Sequence, residues 1–289
     1  MRRLLISGGL LVAGLLALSL AAGSLLTRPS RAAIGPAPPE LAAEPVRIAY
    51  GDEQQLSGWF LPGRAGEGAV LLLHGVRGNR LQMLARARWL QREGIANLLV
   101  DLPSHGESSG GRIGFGRLEA PGTDAALNWL RARLPGEKVG AVGVSLGGAS
   151  LLFAERRPEL DALVLESVYP TIEDAVQDRL AMRLGPLAGR LLSPLLLVQL
   201  PLRLDLSATQ LRPVDAIAAV RAPLLIASGT EDLHTLWPET ERLFATAPQP
   251  KALWPVHGAA HVDLHGFDAA AYQARLGPWL HTRLRKPLP

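Results

Sequence analysis

The sequence predicts an α/β fold: a mostly parallel central sheet with helices on both faces. Three observations predict it. Short apolar runs such as "AVLLLHG" (69–75) and "VGAVGV" (139–144) end in turn residues, as strands buried on both faces do. These runs alternate with stretches whose apolar residues recur at helical spacing. A Gly-Val-Ser-Leu-Gly stretch (143–147) joins one such strand to one such helix.

The chain opens with "MRR" and then runs 23 uncharged residues, "LLISGGLLVAGLLALSLAAGSLL". A helix of that length spans about 34 Å, against roughly 30 Å for a bilayer core. A secretory signal has a shorter apolar region of about 7–15 residues. The expectation is therefore an N-terminal membrane anchor over residues 1–31, with the body exported to a periplasmic or extracellular side. Cleavage after Ser19-Leu20-Ala21, releasing a secreted body, is the alternative. Five prolines between Thr27 and Pro45 make residues 32–45 an extended linker. The folded domain is expected over 46–289.

Within it, "VRIAYGDEQQLSGWFLPG" reads as two strands meeting at Gly51-Asp52, followed by the strand at 69–75. A helix (81–94) stopped by glycine, the strand "IANLLVDLP" (95–103) and a helix (123–136) come next. The strand 139–144 leads into a helix (146–158), then the strand "ALVLES" (162–167). After a lapse, the alternation resumes with strands at 223–229 and 251–256 and helices at 238–248 and 268–285. The lapse, residues 170–212, is helical in pattern, broken by Pro186, Pro194 and Pro201, and rich in leucine. Its place between two strands predicts a small helical cap over a site.

Composition excludes several functions. The absence of cysteine removes disulfides, thiolate metal sites and a cysteine nucleophile. Of 30 basic residues, four precede the first acid, Glu40, so the remaining 26 balance 26 acidic residues. A neutral body without a basic patch predicts no nucleic-acid partner.

The chemistry centres on 143–147. A strand-to-helix turn flanked by Gly143 and Gly147 holds the Ser145 hydroxyl outward, and the helix N-terminus favours developing negative charge. In "LLLHGVRGNR" (71–80), the backbone N–H of Val76 follows a strand end and can meet an oxyanion together with the N–H of Leu146. His74 precedes the serine and is read as a structural loop residue, because this architecture places its acid and histidine after the nucleophile.

Together with "LLVDLPSHGESSG", "LVLESVYPTIEDA", "PLLIASGTEDLHT" and "LWPVHGAAHVD", these stretches cover most of 46–285 and resemble the alpha/beta-hydrolase superfamily. The similarity is to its branch of serine acyl hydrolases and aminopeptidase-like enzymes, some with N-terminal anchors. The resemblance implies a Ser145–His261–Asp232 triad with no cofactor and no metal. Glu231 is the neighbouring alternative to Asp232, and His257 or His265 replaces His261 if the register shifts by four. A metal on the three evenly spaced histidines is disfavoured by Gly258, Gly266 and the lack of a glutamate in an H-E-x-x-H pattern. The family's usual basic residue and glycine before His-Gly are replaced here by Pro103 and Ser104.

The resemblance implies a membrane-tethered serine hydrolase cleaving esters or thioesters, with a small-molecule or acyl-chain substrate. A peptidase of the same fold and a non-catalytic, membrane-attached interaction module are the competing readings.

Overall fold

The computed structural model describes residues 2–155 and 159–286, with residues 2–9, 11 and 12 described in backbone alone. Eight strands form the central sheet: β1 Glu44–Ala49, β2 Gln55–Leu61, β3 Ala69–Leu73, β4 Ala96–Val100, β5 Val139–Val144, β6 Ala162–Glu166, β7 Leu224–Gly229 and β8 Lys251–Val256. Their order is β8-β7-β6-β5-β3-β4-β2-β1. β1 and β2 run antiparallel at one edge, and every pairing from β4 to β8 is parallel. This is the alpha/beta-hydrolase fold that the sequence predicts.

The helices are α1 Arg2–Thr27, α2 Leu84–Glu93, α3 Ala120–Arg133, α4 Leu146–Phe153, α5 Ile172–Leu184, α6 Pro186–Leu197, α7 Leu200–Leu204, α8 Pro213–Ile217, α9 Trp237–Thr246, α10 Leu264–Phe267 and α11 Ala269–Leu284. Alternation within single strands splits the core into two layers. Ala69, Leu71 and Leu73 of β3 pack with Leu127 of α3 and Leu151 of α4, while Val70 and Leu72 pack with Leu90 of α2 and Leu276 of α11. A strand that serves both layers must be apolar throughout, which is why these runs show no polar alternation. The helix expected over 146–158 ends at Phe153, and residues 156–158 lie outside the described ones.

Residues 172–204 form α5, α6 and α7 between β6 and β7. Pro186 and Pro201 each sit in a first helical turn, where no intrahelical N–H bond is needed, whereas Pro194 lies inside α6. The proline-rich stretch after α1 is tied to the body. Ser30–Arg31 pairs with His105–Gly106, Leu41 is buried, and the N–H groups of Ile34 and Gly35 donate to Glu107.

The expected membrane-crossing anchor is corrected by the structure. Among the described residues, no helix is long and apolar enough to cross a membrane. The end of α1 docks on the inserted helices instead. The Ser19 hydroxyl donates to the Leu195 carbonyl at 2.9 Å, Gln199 donates to Ser19 Oγ at 2.8 Å, and Arg203 donates to Ser24 Oγ at 2.8 Å. Length and hydropathy count composition along the run. They do not register that Ser19, Gly23 and Ser24 form a face for protein contacts.

Candidate active site

The loops after β5, β7 and β8 open at one edge of the sheet, beyond the carboxyl ends of parallel strands, where open α/β sheets place their ligands. Ser145 stands between β5 and α4 with φ 48° and ψ −107°, a left-handed backbone that few non-glycine residues adopt. Packing holds it there. Its N–H donates to the Glu166 carbonyl at 2.8 Å, and its carbonyl starts α4 by accepting from Ala149. A Cβ on Gly143 would lie 2.5 Å from the Gly148 nitrogen, and one on Gly147 would lie 2.5 Å from the Leu73 carbonyl oxygen. Only glycine lets the turn close this tightly onto β3.

The same closeness brings the loop after β3 to the serine. A Cβ on Gly75 would stand 3.8 Å from the Ser145 Cβ, and Val76 follows at the surface. The N–H groups of Val76 and Leu146 donate to no protein acceptor among the described residues, so both remain available to an incoming oxygen.

Asp232 follows β7 and is 2 % exposed. Its Oδ1 accepts the N–H groups of His234 and Thr235 at 2.8 and 2.9 Å. Its Oδ2 lies 2.7 Å from His261 Nδ1. Burial alone would raise its pKa; the hydrogen bond and charge of His261, with the two backbone donors, outweigh that and hold it below the usual carboxylate value. In the neutral tautomer whose Nδ1–H donates to Asp232, Nε2 is the nitrogen left to accept a proton. The structure therefore joins Asp232 to His261, while Ser145 makes no hydrogen bond to the imidazole.

The other histidines separate cleanly. His257 is exposed in a turn. His265 lies buried in α10, bonded to Gln273 and packed on Trp89 and Tyr272. His74 is fully buried, accepting from the Leu102 N–H through Nε2 and facing the Gly75 carbonyl through Nδ1. Burial, with His105 beside it, lowers its pKa to about 3, so it stays neutral and structural. In the neighbouring loop, Ser104 stands where the family pattern has glycine and adopts φ 67°, held by its hydroxyl donating to the Arg112 carbonyl at 2.7 Å.

Two groups escaped the sequence reading. His234, in the same loop as Asp232, stacks beside His261 with ring centroids 4.7 Å apart. Among the described residues, Asp232, His234 and His261 form the one cluster whose donor atoms could hold a metal, all within 4.8 Å of one another. Arg86 of α2 is the second. It pairs with Glu166 at the end of β6 and with Asp263 two residues beyond His261. Neither was legible, because both depend on loops and helices distant in sequence.

A cavity of about 410 Å³ lies elsewhere, beneath the Gly35–Val46 stretch against Trp59, Arg80 and Glu107, and the candidate catalytic residues do not line it. A small apolar crevice lined by Leu26, Phe115, Ile172, Val176, Leu197 and Leu200 separates α1 from the inserted helices.

Comparison with known proteins fits this fold. A family model described as serine aminopeptidase, S33, matches residues 65–210. The chain is 30% identical over 227 residues to the uncharacterized protein Rv2307c of Mycobacterium tuberculosis, covering 77% of this chain and 73% of that one. It is 26% identical over 236 residues to the uncharacterized protein YfhR of Escherichia coli, covering 78% and 76% respectively. Among solved structures, an esterase of Pyrococcus furiosus superposes with a TM-score of 0.74 at 21% identity, covering 90% of this chain and 98% of that one. A thermophilic esterase of Thermogutta terrifontis superposes with a TM-score of 0.61 at 20% identity, covering 84% and 100%.

Proposed function

The chain belongs to the serine aminopeptidase (S33) family of hydrolases, and on that premise we propose that it is a serine hydrolase cleaving carboxylic ester or thioester bonds through an acyl-enzyme on Ser145. The observation that carries this reading is the 2.7 Å contact between His261 Nδ1 and Asp232, formed at the sheet edge that also bears the strained serine.

In this reading His261 Nε2 removes the Ser145 proton as Oγ attacks the substrate carbonyl. Asp232 fixes the imidazole tautomer and stabilises the imidazolium. The Val76 and Leu146 N–H groups receive the oxyanion, aided by the N-terminal end of α4. His261 then protonates the departing alkoxide or thiolate. Water, deprotonated by the same nitrogen, releases the acid and restores Ser145. The esterase descriptions of two structural relatives support ester chemistry.

The family description favours a second reading, an aminopeptidase. It requires an acidic anchor for the substrate's free amine near Ser145.

The test is a fluorophosphonate applied to the full chain and to Ser145→Ala, read by intact mass. One adduct mapped to Ser145 and absent from the variant is expected. Folded protein that takes up no adduct overturns the serine-nucleophile reading. Hydrolysis of p-nitrophenyl esters of increasing chain length, set against aminoacyl naphthylamides, then separates the two substrate classes.

A further inference from the structure

We infer that Asp232, His234 and His261 form a binding site for a single zinc(II) ion, and that the ion holds the hydrolase inactive. The donors come from two loops. Asp232 and His234 are two residues apart after β7, and the turn between them is held by the His234 backbone N–H donating to Asp232 Oδ1. His261 reaches them from the loop after β8, its ring 4.7 Å from that of His234 and inclined by 41°. The ligand atoms of all three residues fall within 4.8 Å of one another.

Two imidazoles and one carboxylate make a donor set suited to zinc, with a fourth position left for water. Zinc–nitrogen bonds of about 2.0–2.1 Å place tetrahedral ligand atoms roughly 3.3 Å apart. Both imidazoles are partly exposed, so rotation of their rings closes the remaining distance without moving the sheet.

The inhibition follows from what the ion takes, and this half of the inference rests on His261 acting as the base. Bound to Nε2, zinc occupies the lone pair that would accept the Ser145 proton. Bound to Nδ1 of the neutral ring, it leaves the imidazole's proton on Nε2, where the lone pair is needed, and takes the Asp232 oxygen from the imidazole. Either way the base is lost. His234 is what distinguishes this arrangement from a bare acid–histidine pair, since it supplies the third donor.

Calorimetric titration of the metal-free full chain with zinc chloride, beside His234→Gln and the exposed-residue control His257→Gln, tests the site. One zinc per chain is expected, with affinity lowered by about tenfold or more in His234→Gln and unchanged in His257→Gln. Fluorophosphonate labelling of Ser145, measured with and without saturating zinc, reads the consequence. At a zinc concentration that just saturates the native chain, labelling is expected to slow at least about tenfold there and to slow far less in His234→Gln, whose site is then only partly filled. Equal zinc affinity in the native chain and His234→Gln, or no zinc bound by the native chain, overturns the site. If Ser145 is unreactive even without zinc, the hydrolase reading fails, while the calorimetry still decides whether the site exists.

Discussion

Arg86 and Glu166 form a fully buried ion pair, 2.5 Å between Nη2 and Oε2, with both side chains 1% exposed. The Glu166 backbone carbonyl receives the Ser145 N–H, and Arg86 Nη1 reaches Asp263 in the segment after His261. Tyr272 of α11 donates its hydroxyl to Glu166 and accepts from Arg86 Nε at 3.0 Å. One guanidinium thus ties the nucleophile turn to the histidine loop and raises its own pKa through these anionic partners, against the burial that would lower it.

Removing that guanidinium should be costly. Arg86→Met leaves the Glu166 carboxylate buried without its partner, and the loss expected in urea unfolding is about 3–5 kcal/mol. Asp263→Asn, at the exposed end of the network, should cost far less. Equal stability of Arg86→Met and the native chain would show that the pair is dispensable.

Asp232→Asn tests the orientation of His261. An amide there offers an N–H to Nδ1 and imposes the opposite tautomer, placing the proton on Nε2 where the base is needed. Ester turnover should fall roughly 10⁴-fold with the fold retained. Near-native turnover would remove Asp232 from the triad and direct attention to Glu231.

On the acid side, His74 sets a limit. Its pKa, lowered to about 3 in the fold, returns to about 6.5 on unfolding. Unfolded chains therefore bind more protons below that value, and stability is complete above pH 6.5 and declines as pH falls toward 3. The expected loss is about 2 kcal/mol around pH 5. Denaturation curves at a series of pH values should show it, and His74→Gln should flatten the slope. An unchanged slope in that variant would assign the effect to other groups, His105 first.

The alkaline side has a limit of opposite sign. On α5 and α9, Asp178 and Glu239 face each other and both carboxyls are raised, Glu239 to about 8, first by burial and then by the Asp178 charge. A raised folded pKa stabilises the protonated pair most below the ordinary carboxyl value of 4.5, and that contribution is lost as pH rises through about 8. Asp178→Asn removes the repulsion and should lessen the alkaline decline in thermal unfolding. A steeper decline in the variant would overturn the assignment of the Glu239 shift to the Asp178 charge.

Much of this protein was legible along the chain. The apolar runs at β3, β5 and β7, the glycines around Ser145, and the order of serine, aspartate and histidine are local properties. A strand buried on both faces must be apolar, and a turn that closes to 2.5 Å must carry glycine. The reading of His261 over His257 and His265 came from family resemblance; in the fold, the loop after β8 brings the His261 ring to Asp232, 29 residues away. The convergence of His234 on the same point, the Arg86 tie across 80 residues to Glu166, and the docking of Ser19 on Gln199 across 180 residues have no counterpart in spacing or composition. Local physics repeats along a chain and can be read from it. Contacts between distant segments depend on the path of every loop between them, and only the tertiary structure contains that path.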